Sequence, residues 1–208
     1  MVSGTKGGAV YMHSTGSVPE TMVFGNAVFH DNTAPTGGAV FVGGGQLSFG
    51  VATFKNCTFV ANRAALNGGA LRANTAPTLP AQVFLHNSVL WGNEAPEGAG
   101  LSGRALVSFS NIQDPGYAGS AGNVSADPLF VDLATRDLHL AAGSPCIDAS
   151  SASQLVKDYL DLDGDGLHAE PVPVDHDGVR RAIDDPAAPD TGLGQAPLAD
   201  MGAFERTP

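Results

Sequence analysis

Hydrophobic residues in the first half of the chain fall in short runs that recur about every thirty residues. The runs are rich in β-branched and aromatic residues and are broken by Gly, Asn or Pro, which is typical of strands. The pattern is clearest in FGNAVFHDNTAPTGGAVF (24–41), FKNCTFVANRAALNGGALR (54–72) and LHNSVLWGNEAPEGAGLS (85–102). Residues 1–112 lack the ten-residue amphipathic runs that helical repeats need. Three short strands per unit predict a coil of parallel strands whose turns stack about 4.8 Å apart.

Several positions align between the units, and stacking would give each a structural role. The aligned sets are Phe24, Phe54, Leu85 and Phe109; Asn26, Asn56, Asn87 and Asn111; Asn32, Asn62 and Asn93; and the Gly-Gly pairs at 7–8, 37–38 and 68–69. The first set predicts an apolar column inside the coil. The second predicts a ladder of side-chain amides at a tight turn, and the glycines predict a sharp corner. A catalytic role is disfavoured because an active site seldom recurs in register.

These motifs resemble those of a known family. GGAV (7–10), GGAV (37–40) and GGAL (68–71), together with FxxN at 29–32 and 59–62 and a weaker LxxN at 90–93, resemble polymorphic outer membrane protein repeats. The resemblance covers residues 7–112. It implies a right-handed parallel β-helix on a bacterial cell surface, where several such proteins are adhesins.

The second half resembles the C-terminal closing segment of bacterial right-handed β-helix surface proteins. The motifs are DPLFVD (127–132), DLHL (137–140), GSPCID (143–148) and ADMGAFE (199–205). We therefore expect an all-β solenoid in two parts: three to four coils of β-helix within residues 1–112, and a loop-rich, acidic closing segment at 113–208. Short strands are expected at 129–131, 138–140 and 203–204. Helix is expected to be scarce, with 153–160 as the one candidate for a short helix.

The chain begins inside a repeat and ends at Pro208, with no cap before Gly7 and no anchoring tail. Because an open solenoid end exposes apolar strands, we expect a fragment, a truncated product, or upstream coils supplied by another chain. The first residues do not form a signal peptide. The resemblance alone implies a secreted, cell-surface or outer-membrane location.

The 208 residues carry a formal charge of −11, and only 15% of them are charged. Residues 1–125 sum to zero, so the whole excess lies in the last two-fifths of the chain. Such an acidic chain repels phosphates, which argues against a nucleic-acid partner. No apolar run reaches about 18 residues, so no membrane span is expected. The two cysteines leave one disulfide open, although the strand-like run around Cys57 favours a buried thiol.

The acidic half contains a candidate calcium loop. In DLDGDG (161–166), Asp161, Asp163 and Asp165 alternate before glycines, as in the first half of an EF-hand loop. The bidentate Glu expected at loop position twelve is replaced by Val172, so Glu170 or the second cluster, Asp175 and Asp177, would have to complete the oxygen shell. The competing interpretation is that all of these are solvated turn residues. A transition-metal site with His168 and His176 fits no strong motif.

Three functions follow from these features. The favoured one is a non-catalytic scaffold or adhesin-type module that binds a glycan or a host surface through loops on a rigid frame. The alternative is a calcium-dependent polysaccharide lyase or glycoside hydrolase, although the acids of the first half (Asp31, Glu94, Glu97 and Asp114) show no paired arrangement. The last is a purely structural segment of a longer β-helix.

Overall fold

The computed structural model describes residues 6–45, 48–74, 80–162 and 164–208, and within them the protein is all-β. The only helices in these ranges are two 3₁₀ turns, Pro115–Tyr117 and Ala152–Gln154. The strands are β1 (Val10–Ser14), β2 (Glu20–Gly25), β3 (Val28–His30), β4 (Thr33–Thr36), β5 (Val40–Gly44), β6 (Gly50–Lys55), β7 (Thr58–Val60), β8 (Arg63–Asn67), β9 (Leu71–Ala73), β10 (Gln82–His86), β11 (Val89–Trp91), β12 (Leu101–Ser102), β13 (Ala105–Ser108), β14 (Asn111–Ile112), β15 (Phe130–Asp132) and β16 (Asp137–Leu140).

The first fourteen strands pair in parallel, as the sequence predicts. Three four-stranded sheets have the orders β1-β5-β9-β12, β2-β6-β10-β13 and β3-β7-β11-β14, and β4 pairs with β8. Most partners lie 30 or 31 residues apart: Val10 is opposite Val40, and Val40 is opposite Leu71. The last step is shorter, since Leu85 is opposite Val107. β15 and β16 form a separate antiparallel pair.

The predicted apolar column is confirmed for its first three members. Phe24 stacks on Phe54 with ring centroids 5.2 Å apart, and Leu85 is opposite Phe54 on the other side. A second stack joins Phe29 and Phe59 at 4.6 Å. Edge-to-face contacts between the two stacks produce a compact aromatic core in which Phe54 is fully buried.

The predicted alignment is wrong for the fourth member of two sets, Phe109 and Asn111. Val107, not Phe109, lies opposite Leu85, and Asn111 lies opposite Val89 rather than Asn87. Phe109 has φ 48°, the left-handed conformation that Asn87 adopts at φ 52°. An alignment by residue type therefore places the last unit two residues too far along the chain. The reason is that the segment before β13 is shorter than the segments before β6 and β10.

The predicted amide ladder exists, but in the other asparagine set. Asn32 Nδ2 donates to Asn62 Oδ1, and Asn62 Nδ2 donates to Asn93 Oδ1, each at 2.9 Å. Gln113 Oε1 then accepts from the backbone N–H of Asn93 at 2.8 Å and extends the ladder to the last unit. Side chains of one type thus satisfy backbone groups that the parallel strands leave free at this corner.

The Gly-Gly corners behave as predicted. Gly37 and Gly68 have φ of 62° and 65°, in the left-handed region that glycine enters without steric cost. The second glycine is needed for a different reason: a Cβ on Gly69 would lie 2.0 Å from the carbonyl oxygen of Ala99.

Asp114 supplies the hydrogen-bond acceptor at the edge of the sheet that ends with β12. In an earlier unit the N–H groups of Ala39 and Val40 both donate to the carbonyl of Ala70, the residue just before β9. β12 is the last strand of this sheet in the part of the chain that the structure describes, and Asp114 Oδ2 accepts from the N–H groups of Gly100 and Leu101, each at 2.9 Å. A carboxylate therefore takes the place of the missing backbone carbonyl.

The closing segment matches its predicted elements in part. β15 and β16 confirm the strands expected near 129–131 and 138–140, whereas 203–204 forms no strand. The helix expected at 153–160 is wrong, since only the 3₁₀ turn Ala152–Gln154 forms. The backbone beyond it pairs with a later part of the chain: Val156 O accepts from Val172 N, and Asp158 N donates to Glu170 O, each at 2.9 Å. Tertiary pairing replaces the hydrogen bonds of a helix.

Candidate functional site

The closing segment docks along the corner where β2, β6 and β10 end. Each of these strands is followed by an asparagine with φ near 50°. The three side-chain amides do not bond to one another, but donate to carbonyls of the closing segment: Asn26 to Val174 at 2.7 Å, Asn56 to Asp200 at 3.3 Å and Asn87 to Ser151 at 3.0 Å. The ladder predicted for this set is therefore wrong, and its physical role is to hold a distant segment.

A cleft of about 760 Å³ opens between the outer face of β2 and β6 and this docked segment. Its closing-segment wall carries Tyr159 and Leu160, which are 73% and 81% exposed. Lys55 on β6 and Lys157 add two ammonium groups. These two adjacent side chains form an exposed apolar patch beside a concave surface, as ligand-binding grooves often do.

The two lysines of the cleft lie close enough to interact electrostatically. Burial and then the charge of Lys157 lower the pKa of Lys55. Lys55 Nζ donates to the carbonyl of Leu155 at 3.4 Å, which holds the half-buried side chain in place. Asp158 belongs to the closing-segment wall, across the cleft from Lys55. It is buried, and its Oδ2 accepts from Leu162 N at 2.8 Å. The cleft thus combines an aromatic face with both charge signs.

The first predicted calcium group is arranged as a turn in the part that the structure describes. Asp161 Oδ1 accepts from Gly166 N at 3.1 Å, and Asp165 Oδ1 accepts from Leu167 N at 2.8 Å. These are side-chain-to-backbone bonds of the kind that Asp makes in turns. Asp163 lies outside the described residues, so an ion held by this loop stays a prediction.

The second predicted group holds the fold together. Asp175 is buried, with Oδ1 accepting from the N–H groups of Asp177 and Val179 and Oδ2 from Glu205 N, each at 2.8 Å. Asp177 instead contacts His139. Neither residue belongs to the three carboxylates that, among the described residues, come within ion-sharing distance of one another.

Those three carboxylates are Asp148, Asp184 and Asp190, which sequence reasoning missed. One oxygen of each lies within 4.8 Å of the other two. They are 36 and 6 residues apart along the chain, and no local spacing motif links them. Only the fold of the closing segment brings them together.

A buried charge network was also missed. Arg181 is only 5% exposed, and its Nη1 lies 3.3 Å from Glu205 Oε2. Its Nη2 donates to Asn26 Oδ1 at 2.8 Å and to the carbonyls of Gly202 and Ala203 at 3.0 Å. The guanidinium therefore joins the ADMGAFE motif to the corner after β2. The charges inside that otherwise apolar motif were the available sequence signal.

The pKa of His139 depends on two carboxylates that contact its ring. Burial lowers its pKa, but Asp137 (Oδ1 2.6 Å from Nδ1) and Asp177 (Oδ2 3.1 Å from Nε2) raise it above 6.5 overall. The protonated ring therefore stabilises the fold below pH 6.5, and this contribution is lost as pH rises through the raised pKa. We expect Asp177→Asn to lower the pKa of His139 in an NMR titration and to cost about 0.5 kcal/mol at most, since the pair is half-exposed. Glu97→Gln, which has no contact with the ring, should leave the titration unchanged.

The two cysteines do not pair. Cys57 and Cys146 are free and buried, and burial raises the pKa of each thiol to about 12. The buried thiol predicted for Cys57 is confirmed. Thiols with so little thiolate at neutral pH are chemically inert.

Comparison of the chain with protein-family models, with curated proteins and with solved structures finds no match. Among the described residues, no helix is both long and apolar enough to span a membrane. The functional inference therefore depends on the residues and their geometry.

Proposed function

We propose that the chain is a right-handed parallel β-helix, with repeats in 1–112 and a closing segment in 113–208, and that it serves as a non-catalytic binding scaffold. The parallel pairing of strands about thirty residues apart in three sheets supports one unit per turn. The right hand agrees with the strong preference for right-handed crossovers between parallel strands. The resemblance of its GGA and FxxN motifs supports a bacterial surface or secreted location.

The ligand that suits this scaffold best is a polysaccharide held in the cleft between β2, β6 and the docked segment. The observation that carries this proposal is Tyr159, which presents an exposed aromatic face in a cleft whose volume falls in the range of ligand sites. A tyrosine ring combines an apolar body with a polar tip, and a sugar has an apolar C–H face bordered by hydroxyls. Lys55 and Lys157 supply donors for hydroxyl or carboxylate oxygens.

A glycan array containing neutral and uronate polysaccharides tests the proposal on the full chain. We expect binding to at least one class, reduced about tenfold or more by Tyr159→Ala and by Lys157→Ala, because either change removes a direct contact. Tyr11→Ala is the matched control, since Tyr11 is also exposed but lies on β1 outside this cleft. Absence of binding by the unaltered chain would favour the purely structural role, and equal loss in Tyr11→Ala would place the ligand elsewhere.

One observation favours the enzymatic alternative. The lowered pKa of Lys55 in a concave site is the property expected of a lysine that accepts a proton, as a polysaccharide lyase requires. Incubation with uronate polymers and calcium, followed by detection of unsaturated or reducing ends, separates the two functions. Product formed by the unaltered chain and lost in Lys55→Met would establish an enzyme in place of a binding scaffold.

A further inference from the structure

The loop that carries Asp184 and Asp190 is built around Asp148. The Oδ2 atom of Asp148 accepts from the N–H of Asp185, and its backbone carbonyl accepts from the N–H groups of Thr191 and Gly192, all at 3.1 Å. Three hydrogen bonds thus fix both ends of the loop against one residue. The three carboxylates are held near one another by backbone contacts and not by chance encounters of surface side chains.

Asp148 also has an unmet requirement of its own. Its side chain is 0% exposed, and its Oδ1 atom is buried without a hydrogen-bond partner among the described residues. A buried carboxylate oxygen normally has a donor or a cation, because leaving it bare costs its full desolvation energy. This is a separate observation from the clustering of the three acids.

None of the ion pairs found in the described residues includes Asp148, Asp184 or Asp190, and the nearby Arg206 pairs with Asp185. Like charges held this close repel one another unless a proton or a cation intervenes.

We propose that Asp148, Asp184 and Asp190 form a calcium site that fastens the 184–190 loop to the part of the closing segment around Asp148. The donors are all oxygen, which selects a hard cation. Asp184 and Asp190 are exposed, so water can complete the six to eight ligands that calcium takes. The group lies outside the Tyr159 cleft, so calcium can bind here whether or not the cleft holds a glycan.

Calorimetric titration of the chelator-treated chain with Ca²⁺, together with thermal melting, tests the site. We expect one ion per chain and a melting temperature about 5–10 °C higher at roughly a hundredfold excess over Kd. The double variant Asp184→Asn/Asp190→Asn changes only exposed side chains and should weaken binding about tenfold or more. Asp148→Asn keeps an acceptor for Asp185 N and should weaken binding likewise.

The matched control is Asp161→Asn/Asp165→Asn, which removes two carboxylates from the other aspartate-rich loop. It should bind calcium as the unaltered chain does. Absence of heat and of a melting shift in the unaltered chain would overturn the proposal. So would binding that survives Asp184→Asn/Asp190→Asn but disappears in the control, because the ion would then lie in the 161–166 loop. A circular dichroism spectrum of each variant establishes that the fold is retained.

Discussion

Replacement of Arg181 by alanine is expected to lower the free energy of unfolding by about 3–5 kcal/mol, because it leaves Glu205 as a buried, unpaired carboxylate. The same change removes the donor to Asn26 Oδ1 and to the carbonyls of Gly202 and Ala203. These bonds join the last motif of the chain to the corner after β2. Denaturant unfolding followed by circular dichroism measures the loss.

Arg180 provides the control for this experiment. It is the adjacent arginine, it is exposed, and Arg180→Ala should change the unfolding free energy by less than about 0.5 kcal/mol. Arg181→Ala combined with Glu205→Gln should recover part of the loss, since the stranded charge is then gone. A single Arg181→Ala variant as stable as Arg180→Ala would show that the guanidinium contributes no net stability.

Replacement of Asn62 by alanine should cost about 3 kcal/mol. Asn62 is fully buried in the middle of the amide ladder, where its Oδ1 accepts from both nitrogens of Asn32 and its Nδ2 donates to Phe29 O and Asn93 Oδ1. The variant removes these four side-chain hydrogen bonds and leaves the Asn32 N–H without this acceptor. A lost hydrogen bond costs about 1 kcal/mol, and an unsatisfied buried group costs about 1–3 kcal/mol.

Asn32, the neighbouring rung of the same ladder, provides the residue with which Asn62 is compared. Asn32 is partly exposed and, within the described residues, accepts from no other rung of the ladder, so Asn32→Ala should cost only about 1 kcal/mol. Chemical unfolding of both variants against the unaltered chain gives the difference. Equal costs at the two positions would mean that the ladder does not act as a continuous chain of hydrogen bonds.

The strand-forming part of the fold could be predicted because its signal repeats. Phe24 and Phe54 occupy equivalent places in successive units, and parallel pairing puts equivalent places face to face. The prediction failed at Phe109, where the unit is shorter and residue type alone set the alignment. To pair Leu85 with Val107, one must know how many residues the turn before β13 lacks. A single sequence does not give this number.

The two asparagine sets show what kind of information was missing. Both recur with the same period, and only their surroundings decide that Asn62 bonds along the stack while Asn56 bonds across to the closing segment. One usable signal was present: Gln113, another amide, continues the first set. For the carboxylates of Asp148, Asp184 and Asp190 no comparable signal exists, because a loop without periodicity brings them together.

The asparagines after β2, β6 and β10 also tie the length of the closing segment to the number of units in the first half of the chain. Its carbonyls at Val174, Asp200 and Ser151 are spaced to meet three amides one strand apart, about 4.8 Å each. Insertion of a further unit between β6 and β10 would move Asn87 out of reach of Ser151 while Asn26 and Asn56 kept their partners. The closing segment therefore fixes the number of units between β2 and β10, and a unit added or removed there would require a matching change in the segment that carries Val174, Asp200 and Ser151.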